Sequence, residues 1–175
     1  MRLFSLRGFS MIELIIVVLI ASIILSIVAP KLGRISTRAH LNSVQRSLIS
    51  TLFFARAEAI KRGSDVTVCP SNDSATCLER SAPWNDGWII FLDIDGNGTF
   101  DSSDDQLIRA TVIPRVASVV WSGTRSITFQ GEGNVVENSQ GNLRICDLNG
   151  DFSITRGVTV DPTGRIFENN GVVCP

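Results

Sequence analysis

Between Leu14 and Ala29 the chain carries no charged residue, so this stretch has no polar face. Beyond Pro30 the pattern changes. Leu41, Val44, Leu48, Leu52, Ala55 and Ala59 recur at spacings of three and four, which puts them on one side of a helix. Lys61 and Arg62 followed by Gly63 supply the basic last turn and the glycine expected at a helix C-terminus. The pattern predicts a helix from about residue 9 to 62 whose second half lays an apolar stripe on a folded domain.

From Asp65 onward, short runs rich in Val, Ile, Thr and Phe alternate with Gly, Asn and Asp turns. Strands are expected at Val66 to Cys69, Gly87 to Leu92, Gln106 to Ile113, Ser126 to Phe129, Leu143 to Asp147, Gly157 to Val160 and Arg165 to Phe167, by β-propensity bounded by turn residues. A long helix followed by antiparallel strands is an α+β arrangement, with the helix covering a sheet face. Trp84 and Trp88 fit burial under a strand better than a binding surface.

A bilayer requires about 20 apolar residues in a helix, and Phe9 to Ala29 is just long enough. Arg2 and Arg7 ahead of it suggest a secretory signal peptide. The length of the run, Glu13 near its start and Pro30 where a small-residue cleavage site would fall argue instead for a segment that is kept. A carboxylate near the centre of a membrane helix costs about 2.5 to 3.5 kcal/mol, so Glu13 calls for a partner or a place at the interface, where the helix dipole favours it.

The run Arg7-Gly8-Phe9-Ser10-Met11-Ile12-Glu13-Leu14 resembles the leader and mature start of type IV pilins and type II secretion pseudopilins. The resemblance implies cleavage after Gly8 by prepilin peptidase, methylation of the new N-terminal Phe9, and pairing of Glu13 with a neighbouring subunit's terminal amine during assembly. Pro30 lies where many pilins kink this helix, consistent with the loss of an amide donor. Residues 1–8 are then a leader, 9–30 a single-pass inner-membrane and assembly helix, 31–63 an amphipathic helix and 64–175 a β-rich periplasmic domain. Loss of the leader leaves 14 Lys and Arg against 17 Asp and Glu, a formal charge of −3.

Farther along, Ala55-Arg56-Ala57-Glu58-Ala59-Ile60, Val66-Thr67-Val68-Cys69 and Gly87-Trp88-Ile89-Ile90-Phe91-Leu92-Asp93 are similar to the GspH/FimT (FimU-like) family of minor pilins and pseudopilins. That likeness implies a minor pilin in the priming or tip complex of a type IV pilus, acting in pilus biogenesis and twitching motility beside other minor pilins and the major pilin. A place as pseudopilin H at the tip of a type II secretion pseudopilus is the alternative. A third reading is a DNA-binding minor pilin of natural transformation, whose C-terminal Gly-Arg-x-Arg motif is matched at Gly164-Arg165-Ile166-Phe167 only through its first arginine, Arg165. Phosphate binding needs several cations, and Arg165 is the single basic residue from Gly157 to Pro175, so DNA is disfavoured as a partner.

Composition refines this. The 175 residues and 44% apolar content suit one modest folded domain with an appended segment. Net charge of −1 gives no global pull toward nucleic acid, although seven Lys and Arg against Glu58 alone between Lys31 and Arg62 make a locally basic helix that anionic headgroups or acidic subunits can use. Four cysteines, Cys69, Cys77, Cys146 and Cys174, suggest two disulfides in an oxidising compartment. Of the three pairings, Cys69 with Cys77, closing a short loop, and Cys146 with Cys174, fastening the tail, is favoured. With His40 as the sole histidine, no catalytic constellation is visible and no enzyme is expected.

One motif points to a metal. Asp93, Asp95, Asn97, Thr99, Asp101 and Asp104, with Gly98 sixth in a twelve-residue loop, follow the EF-hand spacing for Ca²⁺. Asp104 replaces the bidentate Glu and the flanks read as strands, so an acidic hairpin tip turning at Asn97-Gly98 is the favoured alternative.

Overall fold

In the computed structural model the described residues are 10–79, 82–113, 117–123, 125–148, 150, 154–169 and 171–174, with residues 27–32 described through their backbone alone. One long helix, α1 (Met11–Arg62), precedes eight strands: β1 (Val66–Pro70), β2 (Gly87–Leu92), β3 (Gln106–Val112), β4 (Ala117–Trp121), β5 (Ile127–Phe129), β6 (Gly141–Asp147), β7 (Arg156–Val160) and β8 (Ile166–Glu168). The chain divides into two compact units after Thr37.

Within the second unit every member of the expected stripe is buried, with Leu41, Leu48, Leu52, Ala55 and Ala59 at zero exposure. Helix periodicity alone identified the packing face because the apolar positions follow the 3.6-residue turn. The helix ends as expected. Gly63 takes a left-handed φ of 61°, and its N–H and that of Ser64 both return to the Ala59 carbonyl, which closes the helix at that carbonyl.

The strands form two antiparallel sheets, ordered β3-β2-β1-β5 and β4-β6-β7-β8, in keeping with the expected α+β arrangement. Strand β4 escapes the sequence reading because Ala117-Ser118 opens it with two residues of weak strand preference. Its pairing with β6, Val119 opposite Ile145, is what makes it a strand. Both sheets place side chains in one core with the helical stripe: Val68 and Ile90 from the first, Val119, Ile145 and Val158 from the second. At about 1.5 to 3 kcal/mol for each large apolar side chain removed from water, this core outweighs any single polar contact.

Polar bonds fix the register of helix on strands. The Trp88 indole N–H donates to Thr51 Oγ1 at 2.9 Å, and Gln45 Nε2 donates to the Gly157 carbonyl at 2.9 Å. Trp84 and Trp88 are both buried, which accounts for them as core residues. On the opposite side of β1 and β2, Cys69, Ile89 and Phe91 form a smaller core capped by Cys77 and Phe100, with the Phe91 and Phe100 rings edge to face at 5.3 Å. Cys69 is bonded to Cys77 and Cys146 to Cys174, the favoured pairing. The first disulfide holds the 70s loop over this small core, and the second ties the C-terminal tail to β6.

Candidate functional site

Three features of the chain lie outside core packing: the N-terminal half of α1, the loop after β2, and the loop between β7 and β8.

In the first unit, the large apolar side chains from Met11 to Leu25 are between 50% and 79% exposed. Ser22 and Ser26 turn their hydroxyls back to the carbonyls of Leu19 and Ile23 at 2.8 and 2.7 Å, so their polar groups are spent within the helix. The stretch presents hydrocarbon on all sides. Glu13 is exposed in the first turn, with its N–H bonded to the Ser10 carbonyl, and it takes part in none of the described salt bridges. Among the described residues no helix is long and apolar enough to cross a membrane. Of the expected membrane segment the described side chains are those of residues 10–26; Phe9 and the side chains of residues 27–29 lie outside them. Gly8 and Phe9, the expected cleavage and methylation positions, lie outside the described residues, as does the side chain of Pro30. The helix continues through position 30 as one element.

The basic residues farther along α1 are partly committed within the domain. Lys61 and Arg62 pair with Glu58 at 3.2 and 2.8 Å. Arg56 donates through Nε to the Gly133 carbonyl at 2.8 Å and through Nη2 to the Thr163 carbonyl at 3.2 Å.

After β2 the acidic residues converge differently from an EF-hand. One carboxylate oxygen from each of Asp93, Asp95 and Asp105 lies within 4.8 Å of the other two. Asp93 ends the buried strand β2 and is 3% exposed. Its Oδ2 accepts from Thr67 Oγ1 at 2.7 Å and from the Gly98 N–H at 3.0 Å, whereas Oδ1 is buried without a donor. Burial leaves the Asp93 carboxyl above its ordinary range, opposed by the Thr67 and Gly98 bonds and reinforced by the charges of Asp105 and Asp95, because desolvation disfavours the charged form.

The remaining members of the expected calcium set are occupied otherwise. Asn97 Oδ1 accepts from the Thr99 N–H at 2.6 Å, Thr99 Oγ1 accepts from Arg125, and Asp101 Oδ1 accepts from the Ser103 N–H and hydroxyl. Asp104 is exposed and its N–H returns to the Asp101 carbonyl. These short-range turns draw the side chains toward the local backbone. Asp105 was missed from sequence because it falls one position past the twelve-residue spacing. It arrives because Asp105 Oδ1 accepts from the Ile94 N–H at 2.9 Å and Oδ2 from the Asp101 N–H at 2.9 Å, bringing the two strand ends of the hairpin together.

Arg165 is exposed at the end of the β7–β8 loop, with Asp161 Oδ1 accepting from its N–H at 3.0 Å. The preceding Gly164 is buried with φ of 74°, and a Cβ there would come within 2.0 Å of the Gly133 carbonyl oxygen. Its role in the turn is steric, set by the close approach of two loops.

The sequence profile of the family described as type II transport protein GspH matches residues 45–164. No curated protein sequence matches the chain. Among solved structures, the type IV minor pilin FimU of Pseudomonas aeruginosa PAO1 is similar in two crystal forms, at 20% identity over 75% of this chain and 90% of FimU with a TM-score of 0.59, and at 19% over 73% and 91% with 0.56. The minor pseudopilin EpsH of the Vibrio cholerae type 2 secretion system matches at 14% identity over 75% of this chain and 97% of EpsH, with a TM-score of 0.52.

Proposed function

The chain belongs to the GspH family of pilin-like structural proteins, and from that membership we propose that it is a minor pilin of the priming or tip complex of a type IV pilus. The observation that carries the proposal is the N-terminal half of α1, where apolar side chains are exposed on all sides with Glu13 at their start. Such a surface requires lipid or neighbouring helices around it, because exposed apolar area of this extent is unfavourable in water. Before assembly the helix sits in the inner membrane with the disulfide-bonded domain in the periplasm. On assembly it packs among the helices of other pilins.

In this reading prepilin peptidase cleaves after Gly8 and Phe9 becomes a methylated N-terminus. The amine of a neighbouring subunit supplies the cation that Glu13 lacks, an ion pair strengthened where water is excluded. Pro30 permits a bend where the helix leaves the membrane. The protein has a structural role in this scheme, without a catalytic one, in keeping with its family.

The family's description as a type II transport protein favours a second reading, a subunit of a secretion pseudopilus, which uses the same helix and domain. Deleting the gene separates them. Lost twitching with intact exoprotein secretion is expected, and the reverse would move the protein to the secretion system. Mass spectrometry of the protein from its native host tests the processing step, with a mature chain beginning at methylated Phe9 expected. A Glu13→Ala variant that assembles normally would refute the assigned role of Glu13. A DNA-receptor role draws little support, since Arg165 is the one cation of its loop, the Arg56 guanidinium beside it is bonded to the Gly133 and Thr163 carbonyls, and Gly164 is explained by packing.

A further inference from the structure

We propose that Asp93, Asp95 and Asp105 form a binding site for a divalent cation, Ca²⁺ by its chemistry, at the base of the loop between β2 and β3. The three carboxylates bring an oxygen each to within 4.8 Å of one another, a spacing at which one ion can touch all three. Three like charges so close repel strongly unless a cation or proton joins them. The nearby guanidinium groups are engaged elsewhere, Arg62 with Glu58 and the Gln106 side chain, and Arg125 with Thr99.

The second observation is independent of the clustering. Asp93 is 3% exposed, and its Oδ1 is buried with no hydrogen-bond donor, in a fold that satisfies the other oxygen twice. A buried carboxylate oxygen left without a donor is costly, and a metal ion supplies the missing interaction. A cavity lined by Ser64, Asp65, Leu92, Asp93, Ile94, Asp95 and Gly96 opens on the same loop beside two of the three carboxylates, which leaves room for water ligands on that side.

An all-oxygen set excludes the soft metals and favours Ca²⁺, Mg²⁺ or Mn²⁺. Ca²⁺ suits this site best. It accepts several carboxylates in flexible geometry, whereas Mg²⁺ keeps most of its water and takes only about one or two carboxylates. The site differs from an EF-hand in using Asp105 in place of Asn97, Thr99, Asp101 and Asp104. Bound there, the ion would link the end of β2 to the start of β3 and hold the hairpin shut.

The test is calorimetric titration of the full-length chain in detergent micelles, stripped with chelator and then given CaCl₂ or MgCl₂. One Ca²⁺ per chain is expected, with Kd on the order of 10⁻⁴ to 10⁻³ M as in extracellular modules and weaker Mg²⁺ binding. Asp95 is exposed and bonds only within its own loop, so Asp95→Asn should fold normally and weaken Ca²⁺ on the order of 10-fold or more, as loss of a ligand charge does. Asp105→Asn should do the same, and Asp104→Asn should leave the affinity unchanged. Thermal melts in chelator report whether each variant is folded. Absence of heat at millimolar Ca²⁺, binding that survives Asp95→Asn, or loss of binding in Asp104→Asn alone would each overturn the assignment. None of these outcomes depends on which filament the protein joins.

Discussion

Gly164→Ala separates a packing role for the Gly164-Arg165 pair from a ligand-binding one. Gly164 has φ of 74°, and an L-residue held in the left-handed region costs roughly 1 to 2 kcal/mol. The added methyl would also lie 2.0 Å from the Gly133 carbonyl oxygen, a distance that no relaxed contact allows, so one loop must retreat. That carbonyl accepts from Arg56 Nε at 2.8 Å, and hydrogen bonds involving a charged group contribute about 1.5 to 3 kcal/mol. Together these effects predict a loss of roughly 3 to 5 kcal/mol, or a melting temperature lower by on the order of 10 °C for a chain of this size. The assay is thermal unfolding of the full-length protein in detergent, followed by circular dichroism. Arg165→Ala is the control. Its side chain is exposed and the N–H bonded to Asp161 remains, so it should melt within about 0.5 kcal/mol of the parent. If Gly164→Ala melts with the parent protein, the steric reasoning fails, and the glycine has some other use.

Leu48→Ala removes a side chain of zero exposure from the middle of the helical stripe and should cost about 2 to 5 kcal/mol in a denaturant titration; a loss under about 1 kcal/mol would mean that the helix does not pack as described. Replacing Cys146 and Cys174 by Ser opens a loop of 28 residues in separation and replacing Cys69 and Cys77 one of 8, so chain entropy predicts losses of roughly 3.6 and 2.6 kcal/mol. Because Cys69 also lies in the small core beside Phe91, the second pair should lose more than entropy predicts, and mass mapping of the unreduced protein checks both pairings directly. For pH, burial raises the Asp93 carboxyl, so with divalent ions chelated the folded state retains a proton that the unfolded chain releases near pH 3.9. That contribution is fully present below about pH 3.9 and is lost as pH rises through the raised value. Asp161, lowered first by the Thr163 hydroxyl and then by the Arg165 N–H, acts in the opposite sense, its contribution present above about pH 3.9 and lost as pH falls through its lowered value. Thermal melts of Asp93→Asn across this range should decline less steeply above about pH 4 than those of the parent, and a steeper decline would refute the assignment.

What could be read from the sequence is what neighbours along the chain decide. The stripe from Leu41 to Ala59, the Gly63 stop, most strand positions and the burial of Trp84 and Trp88 follow from periodicity, turn chemistry and side-chain size, each a property of a short window. The apolar stretch before Pro30 and the leader motif are local in the same way. Tertiary structure decided which strands meet. It split them into two sheets, and it made a strand of Ala117–Trp121 through pairing with β6. It also replaced an evenly spaced acidic loop by a three-carboxylate cluster. Asp105 joins Asp93 because its carboxylate bonds to the Ile94 N–H, eleven positions back, a closure set by the register of β2 on β3 and invisible to spacing within one segment. Gly164 belongs with these, since the carbonyl that excludes a side chain there comes from Gly133. Contacts between distant segments depend on the sum of many weak pairings, and one window of sequence holds only one side of each.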